Sequence, residues 1–106
     1  MNTYRIPNTD LDATRIAYGC MPLGGSWDSA PLDAATRTRA LDTVQVALDQ
    51  GINFFDHADI YCRGKSEEAF AGVWKRAPNL RQKIYLQSKC GICFEGDPDP
   101  SFPQRF

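Results

Sequence analysis

The chain has 106 residues, 42% apolar and 24% charged, with a formal net charge of −1. That length allows one small domain or part of a larger one, and the composition excludes wholesale disorder. A near-neutral charge with no basic block argues against nucleic acid or a membrane surface as partner, and no apolar run approaches the roughly 20 residues of a membrane span.

The opening stretch Met1-Asn2-Thr3-Tyr4-Arg5-Ile6-Pro7 lacks the apolar core of a secretory signal, so a cytoplasmic location is expected. Tyr4 to Ile6 and Leu11 to Ala13 flank the turn-forming cluster Pro7-Asn8-Thr9-Asp10, which predicts a hairpin. Arg15 to Gly19 reads as a first strand running into the glycine-rich Gly19-Cys20-Met21-Pro22-Leu23-Gly24-Gly25. From Asp33 to Gln50 the spacing is helical, with Ala40, Leu41, Val44, Ala47 and Leu48 on one face and Gly51 as the C-terminal cap.

Ile52-Asn53-Phe54-Phe55 is a short buried strand closed by Asp56. A second helix is predicted to open at Ser66-Glu67-Glu68, the serine hydroxyl capping it and the acids complementing its dipole. Its apolar face is Ala69, Phe70, Val73, Trp74 and Ala77, and Pro78-Asn79 ends it. Ile84 to Ser88 forms the third strand, ending at Lys89. Residues 95–106 are Pro- and Asp-rich, without periodicity, and read as loop or tail.

Strands alternating with helices at this spacing imply parallel pairing through crossover helices. No Gly-x-Gly-x-x-Gly follows the first strand, which argues for barrel units over a dinucleotide-binding sheet. Asp56 and Lys89 then stand at two consecutive strand C-terminal ends, with Tyr61 just past the first. A phenol titrates near pH ~10 and donates poorly at neutrality, unless a buried ammonium held by a carboxylate assists it. Asp56, Tyr61 and Lys89 together suggest proton donation to a carbonyl. Taken singly, each has a plainer role: a capping acid, a packed aromatic and a solvated strand end. Trp27 could line a substrate pocket or decorate a surface loop.

Cys20, Cys62, Cys90 and Cys93 invite a redox or metal reading, because Cys90-Gly91-Ile92-Cys93 has the C-x-x-C spacing. A redox pair wants a helix N-terminus, and Phe94-Glu95-Gly96-Asp97-Pro98 cannot promptly start one. A structural zinc wants a second ligand pair, and Cys20, Cys62 and His57 are irregularly spaced. The expectation is reduced thiols packing as small apolar groups, with no metal.

Across Tyr4 to Ile92 the chain resembles the aldo-keto reductase superfamily. The resemblance is carried by Ile6-Pro7-Asn8-Thr9-Asp10, the Gly19-Cys20-Met21 turn, Gly51-Ile52-Asn53-Phe54-Phe55-Asp56, Ala58-Asp59-Ile60-Tyr61, Gly64-Lys65-Ser66-Glu67 and Ser88-Lys89. It is similar in particular to a bacterial branch of oxidoreductases. The resemblance implies an α/β chain in which residues 1–94 supply an N-terminal hairpin and the first three βα-type units of a TIM (β/α)₈ barrel, incomplete here. It implies a small-molecule aldehyde or ketone substrate, NADP(H) as cofactor, and a tetrad of Asp, Tyr, Lys and His. Tyr61 would give its proton to the carbonyl oxygen, Lys89 would make that phenol a better donor, and Asp56 would hold Lys89. Gly19, Cys20 and Met21, with Asp56, match positions bordering the nicotinamide.

The family's histidine follows a fourth strand. His57 does not replace it, since alternation points it away from Asp56, and a structural hydrogen bond is expected of it. Cys62 stands where many relatives have glycine. A full barrel takes about 250 residues, so the chain is expected to be a fragment, inactive alone. Phe54, Phe55, Ile84 and Leu86 exceed what two helices can cover. The competing expectation is therefore a non-catalytic fragment that self-associates through open sheet edges.

Overall fold

A computed structural model describes residues 1–96; the remainder of the expected tail lies outside the described residues. β1 (Thr3–Arg5) and β2 (Asp12–Thr14) form the antiparallel hairpin, with Thr3 opposite Thr14 and Arg5 opposite Asp12. The hairpin is tied to the N-terminal ends of the later strands. Asp12 N–H donates to the Tyr85 hydroxyl at 3.1 Å, and Thr14 N–H donates to Asn53 Oδ1 at 2.8 Å. It therefore closes the end of the sheet away from Asp56 and Lys89.

β3 (Tyr18–Gly19), β4 (Phe54–Asp56) and β5 (Tyr85–Gln87) form a parallel sheet in that order. The register sets Gly19 level with Asp56, and Asp56 level with Gln87. β3 is shorter than the predicted strand. Arg15 N–H bonds Asn2 O at 3.1 Å and the Thr14 hydroxyl donates to Ile16 O at 2.7 Å, so this stretch turns the chain from hairpin to sheet.

Helix α1 (Ala34–Asp49) makes the first crossover. The Asp33 carboxylate caps it by accepting from Thr36 N–H at 2.7 Å. Gly51, at φ +86°, ends it in the left-handed conformation that favours glycine. The second crossover is not one helix: α2 (Lys65–Ala71) and α3 (Val73–Arg76) meet at Gly72. A Cβ on Gly72 would stand 3.1 Å from a Leu41 methyl, so the small residue lets the crossovers pack closely. Pro78 then opens a 3₁₀ turn, Pro78–Gln82.

The core lies between the sheet and these helices. Phe55 is fully buried, its ring 5.3 Å from Phe70 and 6.0 Å from Tyr18, among Ala40, Val44, Ala47, Ala69, Val73 and Ile84. Burying one such ring stabilises the fold by about 1.5–3 kcal/mol. Phe54, on the face away from the helices, stays half-buried, as does Leu86 on the edge strand level with Phe55.

The expected cap at Ser66 is absent, because its hydroxyl is occupied elsewhere. It donates to Met21 O at 2.8 Å and accepts from Gly24 N–H at 3.1 Å, pinning the 3₁₀ turn Met21–Gly24 to α2. A Cβ on Gly24 would stand 2.6 Å from Cys62 Cβ and 2.7 Å from Ser66 N, neither of which can swing aside. Gly24→Ala should therefore cost about 1–3 kcal/mol in urea unfolding. A Cβ on Gly19 meets nothing within 4 Å, so Gly19→Ala should fall within about 0.5 kcal/mol of the parent.

Candidate active site

Strand alternation sends Phe55 and His57 toward the helices and Phe54 and Asp56 to the opposite face. The backbone ladder continues past the strands. Cys20 N–H donates to Asp56 O at 2.9 Å, His57 N–H to Gln87 O at 2.7 Å, and Asp59 N–H to Lys89 O at 3.0 Å. These bonds carry the ends of three loops to one place.

There Lys89 Nζ donates to Asp56 Oδ1 at 2.7 Å and to His57 O at 2.6 Å. The Tyr61 hydroxyl donates to Asp56 Oδ2 at 3.4 Å, and the ammonium lies 5.1 Å from the centre of the phenol ring. The three side chains chosen from sequence thus share one cluster. The 3.4 Å contact is long for an O–H···O bond, so the phenol is close to the carboxylate without being locked to it. Tyr61 and Lys89 also line a concavity of about 140 Å³ with Ala58, Ile60, Cys90 and Ile92.

The hydrogen bond from Lys89 holds the Asp56 carboxyl below the usual carboxylate range, against the opposing effect of burial. Bonding to Asp56 raises Lys89 above the usual lysine range. Burial, then the charge of Asp56, pushes the Cys20 thiol up to about 12.

Gly19 presents open space at the level of Asp56, and Met21 is exposed. Cys20, grouped with them in the sequence, is fully buried; its Sγ faces Tyr18 O at 3.8 Å. The open surface of that turn is therefore offered by Gly19 and Met21. His57 points away from the cluster, as alternation requires, but the hydrogen bond expected of it is absent. The ring is buried edge-on against Phe70, centroids 4.7 Å apart, and neither nitrogen has a partner among the described residues. Burial lowers its pKa, which favours the neutral ring.

Three arrangements escaped the sequence. Gln87 donates to Asp56 Oδ1 at 2.5 Å, an interaction visible only once the β4–β5 register is known. Lys65 is buried and donates to Ser26 Oγ and Asp28 Oδ1, each at 3.2 Å. Trp27, between those two residues, meets Phe94 edge-on at 6.3 Å while its carbonyl accepts from Arg63 Nε at 2.9 Å. Trp27 thus belongs to a rim joining the loops after β3, β4 and β5. Cys90 and Cys93 follow β5 in a stretch that contains no helix among the described residues.

The family model described as "Aldo/keto reductase family" matches residues 15–104. A 6-dehydroglucose reductase of Agrobacterium fabrum is 37% identical over 77% of this chain and 26% of its own length. Among solved structures, a glycerol dehydrogenase of Gluconobacter oxydans is 32% identical with a TM-score of 0.70, over 94% of this chain and 28% of that one. An aldo-keto reductase of Bacillus halodurans, in its holo form, is 30% identical with a TM-score of 0.70, over 90% and 28%. The chain spans little more than a quarter of the length of these relatives.

The carboxylate of Asp56 is stabilised in the folded state, so it favours folding above the usual carboxylate pKa and ceases to as pH falls through its lowered value. Lys89 has the opposite sense: its contribution is present below the usual lysine pKa and disappears as pH rises through the raised value. The melting temperature should therefore drop at both extremes of pH through this pair, and Asp56→Asn should flatten both limbs in calorimetry. In the native protein a thiol reagent should label exposed Cys90 and spare Cys20 and Cys62, which mass spectrometry of the labelled peptides will resolve.

Proposed function

The chain belongs to the aldo/keto reductase family, and on that premise we propose that it supplies three catalytic groups of an NADP(H)-dependent carbonyl reductase. In this reading it forms the first sector of a (β/α)₈ barrel, and the remaining length of its relatives supplies the tetrad histidine and most contacts to the cofactor phosphates. The observation that carries it is the convergence of Asp56, Tyr61 and Lys89 beside one concavity. That its relatives include one named a reductase and another named a dehydrogenase supports hydride transfer in either direction.

The open space at Gly19, level with Asp56, and the exposed Met21 suit a flat ring resting against the turn. Gly19, Met21 and Asp56 would border the nicotinamide, which supplies the hydride when bound. The protein's own groups handle the proton. Tyr61 turns its O–H from Asp56 Oδ2 to the substrate carbonyl oxygen as negative charge develops there. Lys89 stabilises the phenol oxygen left behind, and Asp56 keeps the ammonium charged and aimed. Aldehydes and ketones are the substrate class, and the cytoplasm is the proposed location.

The isolated 106 residues are proposed to be inactive. A second reading has them self-associate, because β3 and β5 are edge strands of the described sheet. A monodisperse, cooperatively unfolding monomer in light scattering and calorimetry would remove that reading.

In a polypeptide extended to the length of its relatives, Tyr61→Phe should lower kcat about 10²–10⁴-fold. NADPH binding, followed by fluorescence quenching, should be nearly unchanged. Equal turnover in the variant would remove Tyr61, and with it this mechanism.

A further inference from the structure

The mechanism makes no use of Gln87. Its backbone pairs with Asp56 across the β4–β5 ladder, and residues level in a parallel pair project from the same face. Gln87 Nε2 reaches Asp56 Oδ1 at 2.5 Å, the same oxygen that takes Lys89 Nζ at 2.7 Å. The second oxygen, Oδ2, has the Tyr61 hydroxyl as its partner at 3.4 Å. Two donors, one on β5 and one just beyond it, therefore claim one oxygen and leave the other facing the phenol.

This sorting does not follow from the ammonium alone. An aspartate carboxylate rotates broadly about its terminal bond and presents two equivalent oxygens. The His57 carbonyl holds Lys89 Nζ in place at 2.6 Å, but an ammonium so placed can take either oxygen of a carboxylate that turns. The Gln87 amide sits on the strand itself, and a donor to a carboxylate makes a shorter, stronger bond than one to a neutral acceptor.

We propose that Gln87 is a positioning residue, whose amide turns the Asp56 carboxylate so that Oδ1 holds Lys89 and Oδ2 faces Tyr61. The catalytic meaning of this role rests on the reductase reading; the role itself is a property of the carboxylate and can be read without turnover. Four titratable groups face or adjoin Asp56: Lys89 from the end of β5, Tyr61 from the turn after β4, Cys20 from the turn after β3, and His57 next in the chain. Only Lys89 is a cation, so removing the neutral amide leaves the local charge unaltered and isolates the hydrogen bond.

Carboxyl-carbon NMR titration of Asp56 in the 106-residue chain tests this with Gln87→Leu and Gln87→Glu. The Asp56 midpoint should move upward in both, further in Gln87→Glu, where a second carboxylate replaces the donor. In the extended polypeptide, Gln87→Leu should lower kcat several-fold and leave NADPH binding unchanged. An Asp56 midpoint identical to the parent in Gln87→Leu, with circular dichroism unchanged, would overturn the proposal, whatever the added charge of Gln87→Glu does. So would loss of fold in both, since Gln87 would then serve the sheet instead of the carboxylate. Full turnover in Tyr61→Phe sinks the reductase reading alone, and the Asp56 titration still decides Gln87.

Discussion

The hydrogen bonds from His57 N–H to Gln87 O and from Asp59 N–H to Lys89 O extend the β4–β5 ladder beyond the last strand residues, and the site hangs on them. They bring Asp56 to Lys89, far along the chain, at 2.7 Å. Because side chains alternate along a strand, a slip of one residue would turn Asp56 toward Phe70 and send His57 to the site. An ionised carboxylate against that apolar face would be costly unless paired. The buried rings of Phe55 and Phe70 thus set the register, and the register aims the chemistry. Core packing and site geometry are one constraint.

Tyr61 is held differently. It opens the turn Tyr61–Gly64, whose residues and neighbours are fastened to the loop after β3 through side chains. Ser66 bridges Met21 and Gly24, Lys65 reaches Ser26 and Asp28, and Arg63 binds the carbonyl of Trp27. Lys65 is the most exposed to loss among these, since a buried ammonium needs its oxygen partners. The carboxylate and ammonium are anchored by sheet backbone, whereas the phenol depends on this side-chain fastening.

Much of the arrangement was legible in the residues. The helical spacing from Asp33 to Gln50 and the glycine at 51 place α1 almost to the residue, because local physics decides an amphipathic helix with a glycine stop. Asp56 and Lys89 could be placed at strand ends because the apolar runs before them are short and sharply bounded. What escaped depends on distant partners. Ser66 reads as a cap until Met21 and Gly24 arrive to claim its hydroxyl. His57 was expected to hydrogen-bond, yet the pocket beside Phe70 offers its ring only edge-on packing. Gln87 looked like any strand residue until the register set it against Asp56.

The turn that follows Tyr61 carries a last consequence. Cys62 and Arg63 both sit in the left-handed region, at φ +50° and +57°, where an ordinary side chain is disfavoured by roughly 1–2 kcal/mol. Cys62 nevertheless fills a fully enclosed niche against the carbonyls of Met21 and Gly25. Glycine at that position would relax the torsion and vacate the niche, two changes of opposite sign and similar size. Thiol and hydrogen are therefore nearly interchangeable at this position as far as the fold is concerned.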